Sequence, residues 1–130
     1  MKKLALAIFL ALPLAATAQD DLLPDYAYDA LAEISAITTA GQTCDGAKVN
    51  DRRLQTAMVD LMGKLAADGH NPVASVQSLE SDTGKAQMAT RETELRARHG
   101  VAPEGADALC DAIRVEVKTN KAMAKILKLR

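Results

Sequence analysis

The sequence has no tryptophan, and its one phenylalanine, Phe9, falls in an N-terminal apolar run. Past that run the only aromatic side chains are Tyr26 and Tyr28. Surfaces that hold sugars or single-stranded nucleic acid usually stack the ligand on aromatic rings. Two tyrosines close to one end argue against such a platform. A basic excess is missing too: 16 Lys and Arg stand against 17 Asp and Glu, a net charge of −1, which is no nucleic-acid profile. The signatures that carry chemistry are absent in turn. There is no C-x-x-C, no Cys/His cluster at zinc spacing and no H-x-x-x-H or H-E-x-x-H; G-x-S-x-G and G-x-x-x-x-G-K are missing as well. No cofactor is expected. Carboxylates are plentiful but scattered, the pattern of a solvated surface. A metal-dependent enzyme is therefore the least favoured class.

What is present begins with an address. "MKKLALAIFLALPLAATAQD" has two lysines, an apolar run from Leu4 to Leu14 and the small-residue site Ala16-Thr17-Ala18. This predicts a cleavable signal peptide over 1–18, cut between Ala18 and Gln19, and a periplasmic or secreted protein. The run falls short of the roughly 20 residues that a membrane-spanning helix needs. No later segment predicts a transmembrane span. Residues 19–130 then form a single helical domain. Loss of Lys2 and Lys3 moves the charge from −1 to −3.

Export bears on the two cysteines, Cys44 in "TTAGQTCDGAK" and Cys110 in "DALCDAIR". In an oxidising compartment such a pair most often forms a disulfide; free thiols and bridging between chains are the alternatives. A nucleophilic role for Cys44 is disfavoured, because Asp45 beside it opposes a thiolate. Closing the chain between the two positions contributes roughly 4 kcal/mol in the chain-entropy model. A small core without Phe or Trp needs such a staple.

Helical periodicity organises the rest. Pro24 opens a first helix with Ala27, Leu31, Ile34 and Ile37 at helical spacing, stopping before a loop at Gly41–Gly46. Asn50 caps a second, where Leu54, Met58, Leu61, Met62 and Leu65 form one stripe that Gly69 ends. Asn71-Pro72 starts the short "PVASVQSLE". Ser81 or Asp82 begins "GKAQMATRETELRARH", which Gly100 stops. Pro103 opens the last long stretch, with Ala106, Leu109, Cys110, Ile113 and Val117 on one face. Thr119-Asn120 interrupts it, and "KAMAKILKLR" reads as a final helical turn or two. No segment alternates apolar and polar residues long enough to argue for strands. The prediction is all-α, about five or six short helices stapled by one disulfide.

On these elements the chain resembles a family of small exported helical proteins of Gram-negative bacteria, known only as a domain of unknown function. The signal peptide, "RLQTAMVDLMGKLAADGHNP", "GKAQMATRETELRARHGV" and "LCDAIRVEVKTNKAMAKILK" carry the resemblance. It implies a fold and a compartment and no activity.

Candidate sites remain to be weighed. His70 and His99 each adjoin a glycine at a helix end, where the helix dipole favours a cation by about 0.3–1 kcal/mol. Ser35, Ser75, Ser78 and Ser81 lie in or beside ordinary helical patterns. In "RETELRAR", Glu92–Arg96 and Glu94–Arg98 are i,i+4 pairs worth about 0.2–0.5 kcal/mol each, which reads as solvated surface. The sharpest asymmetry is between the ends. Asp20, Asp21, Asp25, Asp29 and Glu33 face no basic residue nearby in sequence, whereas Arg114, Lys118, Lys121, Lys125, Lys128 and Arg130 oppose Glu116 alone. Either the terminal helices neutralise each other, or the lysines simply suit a helix C-terminus, or Lys118, Lys121, Lys125, Ile126, Leu127 and Lys128 form an interaction tail. Its partner would be acidic, or it would make weak peripheral contact with an anionic membrane.

The sequence thus points to a non-enzymatic periplasmic protein that binds another envelope component. The alternative is a stress chaperone, similar to the small acid-stress chaperones of the periplasm, that opens as its carboxylates protonate.

Overall fold

Pro24 has no N–H to leave unsatisfied, and its carbonyl accepts the N–H groups of Ala27 and Tyr28 at 2.9 and 3.3 Å, so a helix starts there. In the computed structural model, which describes residues 23–102 and 104–130, this helix, α1, spans Asp25–Thr43. The leader expected at 1–18 lies outside the described residues, as do Asp20, Asp21 and Pro103. Helices α2 (Asp51–Ala67), α3 (Pro72–Glu80), α4 (Asp82–Arg98), α5 (Ala106–Thr119) and α6 (Lys121–Ile126) follow. Among the described residues the fold is all-helical apart from two short strands, and Cys44 and Cys110 are joined by a disulfide with their Cα atoms 5.6 Å apart.

The helix starts follow from their caps. Asn50 Oδ1 accepts the Arg53 N–H at 3.1 Å, Asn71 Oδ1 the Val73 N–H at 2.9 Å, and Ser81 Oγ the Gly84 N–H at 3.0 Å. Asn120 closes α5 and opens α6, accepting the Met123 N–H at 3.0 Å. Each bond satisfies a donor that the first turn leaves orphaned.

In secondary structure the chain departs from expectation in two places, and the two are linked. Helix α1 does not stop before Gly41 but runs to Thr43, with Cys44 as its cap. Gly41 is there for close approach: a Cβ at that position would lie 2.5 Å from Val49 Cγ2. Val49 belongs to strand β1 (Lys48–Val49), which lies against this part of α1. Its antiparallel partner is β2 (Leu127–Lys128), with Lys48 opposite Lys128 and Val49 opposite Leu127. The chain end, expected to be helical to the last turn, therefore leaves the helix at Ile126 and becomes a strand. Two-residue strands are too short to show a period of two.

Two apolar clusters fill the interior. One surrounds the disulfide and takes Ile37, Ala40, Leu95, Leu109, Ile113, Met123 and Leu127. The other joins the start of α1 to α2 through Leu23, Ala27, Tyr28, Leu31, Leu61 and Leu65. Helix α4 contributes little to either: of its residues only Gly84, Leu95 and Arg96 are buried. It meets α3 so closely that a Cβ on Gly84 would lie 2.1 Å from the Ser78 carbonyl oxygen.

Candidate functional site

The basic tail divides into two parts. Its apolar residues face inward, with Ile126 8% and Leu127 0% exposed, so they belong to the core and supply no anchor to a membrane. Its lysines stay exposed. Lys118 lies near the end of α5 and Lys121 begins α6. Lys125 and Lys128 converge instead on a groove of about 590 Å³, together with Lys48, Val49, Asn50 and Arg53. The β ladder makes this meeting possible. Because Val49 and Leu127 turn inward, their neighbours Lys48 and Lys128 are both exposed, directly across from one another.

Four cations line this groove and no acid does. Among the described residues none of the four has an ion-pair partner. Arg53 is held in place nonetheless, since its Nη1 donates to the Lys125 carbonyl at 3.2 Å. The positive end of the 17-residue α2 lies at the same spot.

A second groove, about 560 Å³, opens between α1, α4 and α5, and Asp29, Glu33, Arg91, Arg98 and Glu116 are among its lining residues. Most of its charges have partners. Glu94 also lines it without one among the described residues, and the i,i+4 pair expected with Arg98 does not form, because Arg98 turns to Glu116 instead. Arg91 donates from Nε to Asp29 at 2.8 Å and reaches Asp25 at 3.4 Å, with its guanidinium 5.0 Å from the Tyr28 ring centre. Glu33 accepts from Asn120 Nδ2 at 3.0 Å. Glu116 meets His99 Nε2 at 2.6 Å and Arg98 Nε at 3.7 Å.

The acidic start of α1 is therefore neutralised by Arg91 of α4 and not by the basic tail. Arg96, read as solvated surface, is buried. It pairs with Glu92 at 3.0 Å and donates from Nη1 to the carbonyls of Ala102 and Gly105 at 3.3 and 3.1 Å. It thereby fastens the α4–α5 connection.

Two of the remaining candidates, His70 and Ser75, stand in local backbone turns and caps. His70 donates its backbone N–H to the Leu65 carbonyl at 2.9 Å and stands in the α2–α3 turn. Ser75 Oγ donates to the Asn71 carbonyl at 2.9 Å. Among the described residues no three His, Cys, Asp or Glu side chains converge as metal ligands would. Also among them, no helix is long and apolar enough to cross a membrane. Tyr26 donates to Asp68 at 2.5 Å and has the Lys64 ammonium over its ring at 3.8 Å. The hydrogen bond to Asp68 comes first among the causes that push its phenol up to about 12.

Lys48 and Arg53 were not among the tail residues singled out from the sequence. Their one sequence signal was position: two cations flanking the Asn50 cap of α2. Comparison with protein-family models, curated proteins and solved structures found no match for the chain.

Proposed function

We propose that this is a non-enzymatic protein of the bacterial envelope that docks an anionic envelope component on the basic groove. The observation that carries the reading is the set of four cations, Lys48, Arg53, Lys125 and Lys128, lining one groove without an acid or an ion pair among the described residues. Charges that a fold uses for itself come with partners, as Arg91, Asp29 and Glu116 of the α1–α4–α5 groove do. Cations gathered without partners in a chain of net negative charge favour an oppositely charged surface elsewhere. The N-terminal address and the resemblance to small exported helical proteins support the compartment.

In-cell crosslinking of the full chain, followed by mass spectrometry, tests this. One dominant partner, lost when the four cations are reversed, is the expected result. Capture that ignores the reversal overturns it.

A second reading has an observation of its own. The polar contacts that hold α4 to α1 and α5 depend on carboxylates: Asp25, Asp29 and Glu116. Few apolar side chains of α4 back them up. Release of α4 would uncover Leu95 and Leu109, which line the groove beneath it, while the disulfide holds α1 to α5. That is the behaviour of an acid-triggered chaperone. It predicts apolar-dye binding and suppression of client aggregation at pH 3 and neither at pH 7. An α4 that stays packed at pH 3 rules it out.

A further inference from the structure

We infer that the basic groove takes a compact ligand carrying two or more phosphate groups. The inference rests on the reading that this groove is the contact face, and goes beyond it by naming the chemistry of the occupant.

The β ladder places Lys48 directly opposite Lys128, and like charges in that arrangement destabilise a strand pair. Nothing among the described residues neutralises either one. The fold thus accepts a repulsion that a bridging anion would remove. Arg53 reaches the same groove with one guanidinium nitrogen fixed on the Lys125 carbonyl. Its remaining donors form a planar fork suited to phosphate oxygens. Asp51, the acid nearest in sequence, does not line the groove.

Shape and charge density choose among anions. The groove is concave, about 590 Å³, within the range of small-molecule sites. A flat anionic membrane would meet its rim, and the apolar residues that could insert there, Ile126 and Leu127, are buried. An acidic peptide would have to fold about four carboxylates into the same space. A phosphate group carries about −1.5 to −2 charges and three acceptor oxygens, so two of them balance four cations in little volume.

The test is a titration of the full mature chain with pyrophosphate, followed by amide chemical shifts at low and at physiological salt. The expected result is saturable shifts confined to Lys48, Asn50–Leu54 and Lys125–Lys128, weaker at higher salt. The K48E/K128E variant should lose about tenfold or more in affinity while keeping the dispersed spectrum of the folded protein. Shifts spread equally over Lys64, Lys118 and Lys121, or affinity unchanged in K48E/K128E, would overturn the proposal.

Two parallel arms separate the other anions. Sedimentation with phosphatidylglycerol vesicles but no pyrophosphate binding would make the groove a membrane contact. Binding of poly-glutamate alone would make the partner an acidic protein. Either result defeats the phosphate inference and leaves the anionic-partner reading standing. Failure of all three anions would remove both.

Discussion

The two grooves differ in how their charges are used. Between α1, α4 and α5, carboxylates and cations meet: Arg91 with Asp25 and Asp29, Glu116 with His99 and Arg98. In the groove of β1, β2, α2 and α6, the four cations have no such counterpart among the described residues. Partnered charges hold helices in register. Cations left without partners cost the fold a little and remain available to something outside it. The difference teaches that position along the chain is a poor guide to use. Lys125 and Lys128 line a basic groove only because the fold brings Lys48 and Arg53 to them.

If this contrast is right, substitutions around the partnered groove cost stability and those in the basic groove do not. The largest effect belongs to the disulfide, which ties α1 to α5, two walls of the partnered groove. Cys44→Ala with Cys110→Ala should lower the unfolding free energy by roughly 4 kcal/mol, measured by urea denaturation. Next is Gly84, where α4 crosses α3. An exposed helical glycine normally gains up to about 1 kcal/mol on becoming alanine, and Gly63, with nothing within 4 Å of its added Cβ, should behave that way. At Gly84 the added carbon meets the Ser78 carbonyl oxygen at 2.1 Å, so the sign reverses. Gly84→Val should cost about 3 kcal/mol, seen as a lower thermal midpoint.

Arg96→Met comes third. It leaves the carbonyls of Ala102 and Gly105 without their charged donor and should cost about 2 kcal/mol, with faster amide exchange in the α4–α5 connection. The smallest effect is expected in the basic groove. Lys128→Glu removes the repulsion across the ladder and should change stability by about 0.5 kcal/mol or less, in the stabilising direction. A loss of 2 kcal/mol there would mean that those cations do serve the fold, and the comparison would fail.

Much of this was legible in the chain. Caps at Asn50, Asn71 and Ser81 placed the starts of α2, α3 and α4, because each acts within one turn of where it stands, and Gly69 and Gly100 placed the ends of α2 and α4. The cysteine pair was legible from the expected export and from there being only two cysteines. What was not legible depends on contacts between distant segments. The passage of α1 through Gly41 is explained only by Val49 lying against it. The burial of Arg96 depends on the carbonyls of the following loop. The basic groove needs a ladder of two residues a side, with Lys48 and Lys128 eighty positions apart.

The most direct test of the central claim, that the groove cations contact an envelope component, is residue-resolved lysine labelling. The same acylating reagent is applied to the purified protein and to intact cells. Lys48, Lys125 and Lys128 should react freely in the purified protein and be protected in cells, while Lys118 and Lys121 react alike in both. Equal labelling of all five lysines in both settings would contradict the account.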